Sequence, residues 1–438
     1  MRKLFSPVAI FVLTGLLPAH ALDLVHVYEL GLQNDPQLRA SRAERDSIRE
    51  TRPQALAKLL PTVSARGGSK RTHLNVIGGG FSFGGSGDDL YDQTDFALSL
   101  SQPLYRRDYW VQLQQSDHKI AQAEAEYVTE EQDLVMRIAQ AYFDVLAAQD
   151  TLGFAHAEKE AIQRQLDQAQ QRFDVGLIAI TDVYEAQAVF DNSRADVIQA
   201  ENELDDAWEA LHEIIGDTEK TLAVLTSDLP LNPPEPQSID QWSETARQQN
   251  PSLVALDSAT EVARQNIQLQ LSGHYPTLDL VGDHSLNRTG AMGRSDTDVS
   301  SISLQLNVPI YSGGGVTSRT RQARHDFEQS QQSLDKQRRA VKRQVRDAYR
   351  GVVSSISRVG ALKATTISAK SSLDATEAGF EVGTRTMVDV LVEQRNLYRA
   401  RRDYSRVRYE YILNGLRLKQ AAGSLSQADL GKINTWLK

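Results

Sequence analysis

The 438-residue sequence states its main motifs twice. NDPQLRA from Asn34 recurs as NPSLVAL from Asn250, LLPTVSA from Leu59 as HYPTLDL from His274, and SQPLY from Ser101 as NVPIY from Asn307. RFDVGLIAITDV from Arg172 is echoed by GFEVGTRTMVDV from Gly379. Pro36 to Pro251 and Pro61 to Pro276 are each 215 residues apart, and Gly176 to Gly383 and Asp182 to Asp389 are each 207 apart. Chance matches do not hold one spacing across such separated landmarks, so the chain is a tandem pair whose second copy has a shorter loop. Each copy reads helix, strand, loop, strand, long helix, turn, helix.

The strands carry the sharpest local signal. Residues 301–308 alternate polar and apolar without a fault, and Phe96, Leu98 and Leu100 alternate with Ala97, Ser99 and Ser101. A soluble sandwich would bury such an apolar face as core, whereas a transmembrane barrel would turn it to lipid. The strands end at Tyr105, Tyr109, Trp110 and Tyr311, where a barrel places its interfacial aromatics. Between them, IGGGFSFGGSGDD from Ile77 suits an exposed tip; it lacks the Gly-Lys-Ser/Thr ending of a phosphate loop. Two strands per copy make four per chain. Single-chain barrels start at about eight strands, and a bilayer tolerates no open edge, so the chain must oligomerise, as two copies with eight strands or three with twelve.

The helices are rods. Leu134, Ile138, Ala141, Val145, Ala148, Leu152 and Ala155 step by four and three, as do Leu397, Ala400, Tyr404, Val407, Tyr411, Asn414 and Leu418. These are narrow seams along long helices. The pattern from residue 106 to 173 is almost unbroken, about 100 Å of helix at 1.5 Å per residue. Pro53 predicts a kink in the entering helix of the first copy that the second copy lacks. At the turns, Gly176 and Gly383 predict left-handed caps, and Thr181 with Asp182 predicts the next N-cap. That reading leaves unexplained why Arg385 occurs only in the second turn.

Arg2 and Lys3, the apolar run 8–17 and Ala19-His20-Ala21 form a secretory signal, so the mature chain is expected to begin at Leu22. The apolar run is too short for a membrane anchor, which needs ~20 residues. Removing Arg2 and Lys3 takes the formal charge from -9 to -11, which argues against nucleic acid as a partner. There is no cysteine, hence neither disulfide nor acylation after the cleavage site. The nine histidines are scattered, and no Gly-x-Ser-x-Gly or metal motif appears, so neither catalysis nor a cofactor is expected. A periplasmic coiled-coil adaptor without a pore would account for helices and export signal, but not for four alternating strands.

FDVGLIAITDV, VGTRTMVDVL, QPLY, VPIYSGGG and YILNGLRLKQAAGSL from Tyr411 stand in the order of the TolC family's motifs, and the chain resembles that family along nearly all of its mature length. The resemblance implies an α+β membrane protein. Its homotrimer would place a twelve-stranded β-barrel in outer-membrane lipid, continuous with a hollow helical cylinder across the periplasm. It implies a signal peptide at 1–21 and a first repeat at 22–216, with strands at about 62–74 and 93–103 and a hairpin tip at about 174–182. A linker follows at 217–240, then a second repeat at 241–418, with strands at about 277–289 and 299–309 and a tip at about 381–389. The linker and residues 419–438 would form a belt around the cylinder. Implied partners are an inner-membrane transporter of ABC, RND or MFS type and a periplasmic adaptor, docking at the tip turns of Gly176 and Gly383. Cargo would be drugs, proteins or both, and the missing lipid anchor leans toward protein secretion.

The resemblance also assigns roles. Arg385 matches an arginine that ties the inner helix pair to the outer one, with Thr181 and Asp182 as its partners. Asp389 matches an aspartate whose three copies ring the closed aperture and select cations. Phe380 stands where the family pattern has a tyrosine, and cannot donate that residue's hydrogen bond. Val392 replaces a second aspartate, leaving neighbouring Glu393 as the candidate for a second acidic ring.

Overall fold

The computed structural model describes residues 22–74, 89–227, 229–290 and 295–438. The expected signal sequence and most of the Gly-rich tip 77–89 lie outside the described residues.

Both copies start in the same way, for a local reason. Helix α1 (Leu24–Asn34) ends at Asp35, which caps α2 (Pro36–Arg49) by accepting from the Leu38 N–H at 2.8 Å. Helix α6 (Ile239–Gln249) ends at Asn250, which caps α7 (Pro251–Leu271) by accepting from Ser252 and Leu253. In both, proline follows at the first helical position, where its missing N–H costs nothing. Only the first copy is then interrupted: α2 stops at Glu50, and α3 (Thr51–Ala57) carries Pro53 in its first turn. The expected break therefore falls just before Pro53, while α7 runs uninterrupted for 21 residues.

Strands β1 (Thr62–Leu74), β2 (Asp89–Tyr105), β3 (Thr277–Thr289) and β4 (Ser295–Asn307) form an antiparallel sheet in sequence order. The repeats join where β2 meets β3, with Leu98 opposite His284, Leu100 opposite Gly282, and a register shift between Pro103 and Tyr105. β1 and β4 are left as edges. Among the described residues of one chain nothing covers the apolar face: Val63 is 66% exposed, Ile302 83% and Leu304 66%. A sandwich core is thereby excluded, and a lipid-facing surface fits the alternation. No helix among the described residues is long and apolar enough to cross a membrane.

From the sheet hang α4 (Arg107–Asp174) and α8 (Gly315–Glu381), of 68 and 67 residues. At the far end each turns into a 36-residue partner, α5 (Ile180–Ile215) and α9 (Met387–Ala422) respectively. The side-chain seams found in the sequence are buried or half-buried along their length. α4 packs on α5 and on α9, and α9 packs on α8, so the wall runs α5, α4, α9, α8. At mid-height the core is aromatic. Phe143 stacks on Tyr409 with centroids 5.6 Å apart, and the Tyr142 hydroxyl donates to the Ala223 carbonyl at 2.7 Å. That carbonyl belongs to the linker, which is tied down by bridges from Leu22 to Leu222 and from Leu225 to Leu437, beyond the terminal helix α10 (Gln427–Asn434).

Candidate functional site: the hairpin tips

The two tips are built to one plan. Gly176 and Gly383 both have φ of +78°, the left-handed conformation that glycine adopts without penalty. Leu177 donates its N–H to the Arg172 carbonyl at 2.8 Å, and Thr384 donates its N–H to the Gly379 carbonyl at 2.8 Å. These are equivalent bonds at equivalent positions, 207 residues apart.

The copies diverge in the side chains on this shared frame. Where the first turn has Arg172, the second has Gly379. A Cβ at Gly379 would sit 2.8 Å from Arg385 Cγ, so the missing side chain is what lets the stem of Arg385 lie across the turn. The side chain of Arg172 leaves its own turn and crosses to the other hairpin, its guanidinium 4.4 Å from the centroid of the Phe380 ring. Phe380 cannot hydrogen-bond sideways, but its ring face attracts a cation. It also packs against both tip clusters: Ile162, Leu166, Val183, Met387 and Leu391 on one side, and Leu373, Val390 and Leu397 on the other.

The expected N-cap at Thr181 and Asp182 is corrected. Helix α5 starts at Ile180 with Ala179 as its cap, which has no side-chain acceptor, so Thr181 is already inside the first turn. The position equivalent to Ala179 in the second turn is Thr386, and there the cap is complete. Thr386 Oγ1 accepts from the Asp389 N–H at 3.2 Å, and the Asp389 carboxylate accepts from the Thr386 N–H at 2.9 Å. This is a capping box, legible in the sequence as threonine followed three residues later by an acid, and missed there. The Thr386 N–H and then its hydroxyl hold the Asp389 carboxyl below the usual carboxylate range, with a smaller contribution from Arg385. Asp389 is thus anionic and fixed in direction at neutral pH. Glu393 lies one turn further along α9, half-buried, beside exposed Val392.

Within one chain, Arg385 makes no hydrogen bond or ion pair to Thr181 or Asp182 among the described residues, and its side chain is exposed. The two turns also expose apolar side chains: Val175 and Leu177 on the first and Val382 on the second are each at least 70% exposed.

A family model described as "Outer membrane efflux protein" matches residues 27–217 and 242–424, one segment in each repeat. The chain belongs to the outer membrane efflux protein family. The chain is 40% identical over 427 residues to the outer membrane protein TolC of Vibrio cholerae, covering 95% of this chain and 94% of that one. It is 31% identical over 418 residues to the alkaline protease secretion protein AprF of Pseudomonas aeruginosa, covering 94% and 86%. Its fold matches the crystal structure of the CmeC outer membrane channel of Campylobacter jejuni with a TM-score of 0.80 at 14% identity, covering 95% and 90%. The chain is therefore an exit duct of the outer membrane and not an enzyme, and the pore-less adaptor alternative falls away. The exposed sheet face meets lipid, and the helical rods continue the passage away from it.

Proposed function

We propose that three copies, exported by the signal at 1–21, close the duct as a twelve-stranded barrel above a helical cylinder. In this reading it docks on an inner-membrane transporter of ABC, RND or MFS type and a periplasmic adaptor through the tip turns at Gly176 and Gly383. Proteins are among its cargo, as the name of the protease secretion relative suggests, with small molecules alongside as for efflux. The observation that carries the reading is the open four-stranded sheet with its apolar face uncovered: the face suits lipid, and the unpaired edges at β1 and β4 are tolerable in a bilayer only when further copies pair with them.

The tips form the gate. Arg385 offers a rigid fork of donors that reaches Thr181 and Asp182 of an outer turn, and because one chain does not bring them together, the outer turn belongs to a neighbouring copy. Three Asp389 carboxylates converge at the aperture, with Glu393 a turn beyond, and select cations. The test is conductance of the purified protein in a planar bilayer. A small cation-selective conductance is expected, blocked by multivalent cations from the periplasmic side, and Asp389→Ala should weaken that block. An unchanged block would place the acidic constriction elsewhere.

A further inference from the structure

The sheet has two unlike ends. At the end that carries the helices, large apolar side chains stand bare beyond the strands: Leu60 before β1, Trp110 after β2, Tyr275 before β3, and Ile310 and Tyr311 after β4, from 48% to 94% exposed. Next to them in the chain come five cations, Lys58, Arg107, Arg319, Arg321 and Arg324, and none of the five makes an ion pair among the described residues. Lys58 donates to the neutral amide oxygen of Gln112 at 2.7 Å. Arg106 is the contrast, since Asp279 takes its fork at 3.0 and 3.1 Å. Against the five stands Asp108 in the first turn of α4, and no carboxylate occurs between Tyr311 and His325.

The arginines of α8 leave no neutral side. Val316, Thr320 and Ala323 form its buried stripe here. At about 100° per residue, Arg321 lies opposite that stripe while Arg319 and Arg324 flank it, so the open surface of these turns is cationic throughout. Arg319 also folds back toward the strand: its Nη1 is 3.6 Å from where a Cβ on Gly315 would stand. The far end of the sheet shows no such excess. On its outward face Arg71 pairs with Asp92 at 3.2 Å, and Arg288 is in register with Asp296, with Asp298 next on the same face of β4.

We propose that the helix-side collar binds anionic phospholipid headgroups, in the leaflet that faces the helical cylinder. The apolar face of the sheet is continuous with it, and an apolar and aromatic fringe followed by uncompensated cations is how a protein surface meets an anionic lipid boundary. Ile310, Tyr311 and Trp110 sit at the edge of the hydrocarbon. Arg319 to Arg324 lie about 6 to 14 Å down α8, with the nearer two about one Debye length from the strand end. Their planar forks suit phosphate oxygens. Crowded cations repel one another, so the headgroups supply the counter-charge that the chain lacks, and they fix the height at which the barrel sits.

The inference rests on the membrane barrel proposed above, and the lipids retained by the purified full-length protein separate the two. Reconstituted in mixed phosphatidylcholine and phosphatidylglycerol and released for native mass spectrometry, the wild-type trimer should retain phosphatidylglycerol in preference, less so as salt is raised. Arg319→Gln, Arg321→Gln and Arg324→Gln combined should lose roughly tenfold or more of that preference, at up to about fivefold per arginine. Arg71→Gln with Arg288→Gln, at the far end, should leave it unchanged. An inserted trimer without the preference, a preference indifferent to salt, or one that the triple variant retains overturns the collar and leaves the barrel standing. A triple variant that cannot form trimers shows that the arginines serve contacts between copies, unless Arg321→Gln alone, still trimeric, loses about fivefold; no loss there overturns the collar. A wild-type protein that does not enter the bilayer as a trimer overturns the barrel itself.

Discussion

Replacing Arg172 by alanine should loosen the gate, although Arg172 sits on the hairpin that is not expected to move. Its guanidinium is 4.4 Å from the Phe380 centroid, and with the tip clusters it joins the first hairpin of a chain to the second. A half-exposed cation–π contact is worth about 0.5–1 kcal/mol. One such contact per copy would change little. If the inner hairpins of three copies must release together, the three contacts sum to roughly 1.5–3 kcal/mol, a shift of about ten- to a hundredfold in the open fraction, since 1.4 kcal/mol is tenfold. The assay is resting single-channel conductance in planar bilayers. Phe380→Leu, which keeps apolar bulk and removes the ring face, should match Arg172→Ala, and the double variant should add nothing to either. Phe380→Tyr keeps the ring and gains a donor, so it should lower the resting conductance. The reasoning fails if Arg172→Ala conducts as wild type, or if the two single effects simply add.

Arg385→Ser should raise the resting conductance with the trimer intact; an unchanged conductance would reduce Arg385 to a surface residue over Gly379. Asp35→Asn keeps the helix cap, as Asn250 does in the second copy, but breaks the buried bidentate pair with Arg137 at 2.8 and 3.0 Å, and should cost about 3 kcal/mol in denaturation experiments. Burial alone would raise the Asp35 carboxyl, but Arg137 and the Leu38 N–H outweigh it and hold the carboxyl below the usual range. Its stabilisation is therefore present above the ordinary carboxylate pKa and lost as pH falls through the lowered value, so Asp35→Asn should flatten that acid limb. Ile302→Arg, on the uncovered sheet face, should cost roughly 2–4 kcal/mol and reduce trimer recovered from outer membranes, whereas Ser301→Arg on the opposite face should not.

By itself the sequence determined whatever depends on neighbours along the chain. The tandem copy, the alternating strands, rods of nearly 70 residues, the left-handed glycines of both tips and the break near Pro53 all follow from period and local backbone preference, and these act over a few residues. The Thr386–Asp389 capping box belonged to that class and was available. The tertiary structure alone decided which distant side chains meet. Arg172 and Phe380 are separated by 208 positions, and Asp35 and Arg137 by 102. No local preference brings such pairs together; they are selected by which faces of α4, α8 and α9 pack once the seams are buried. The same packing left α5 and α8, and β1 and β4, as edges. A heptad pattern shows that a helix has partners but not which ones, and only the order of helices in the wall shows where a further copy must join.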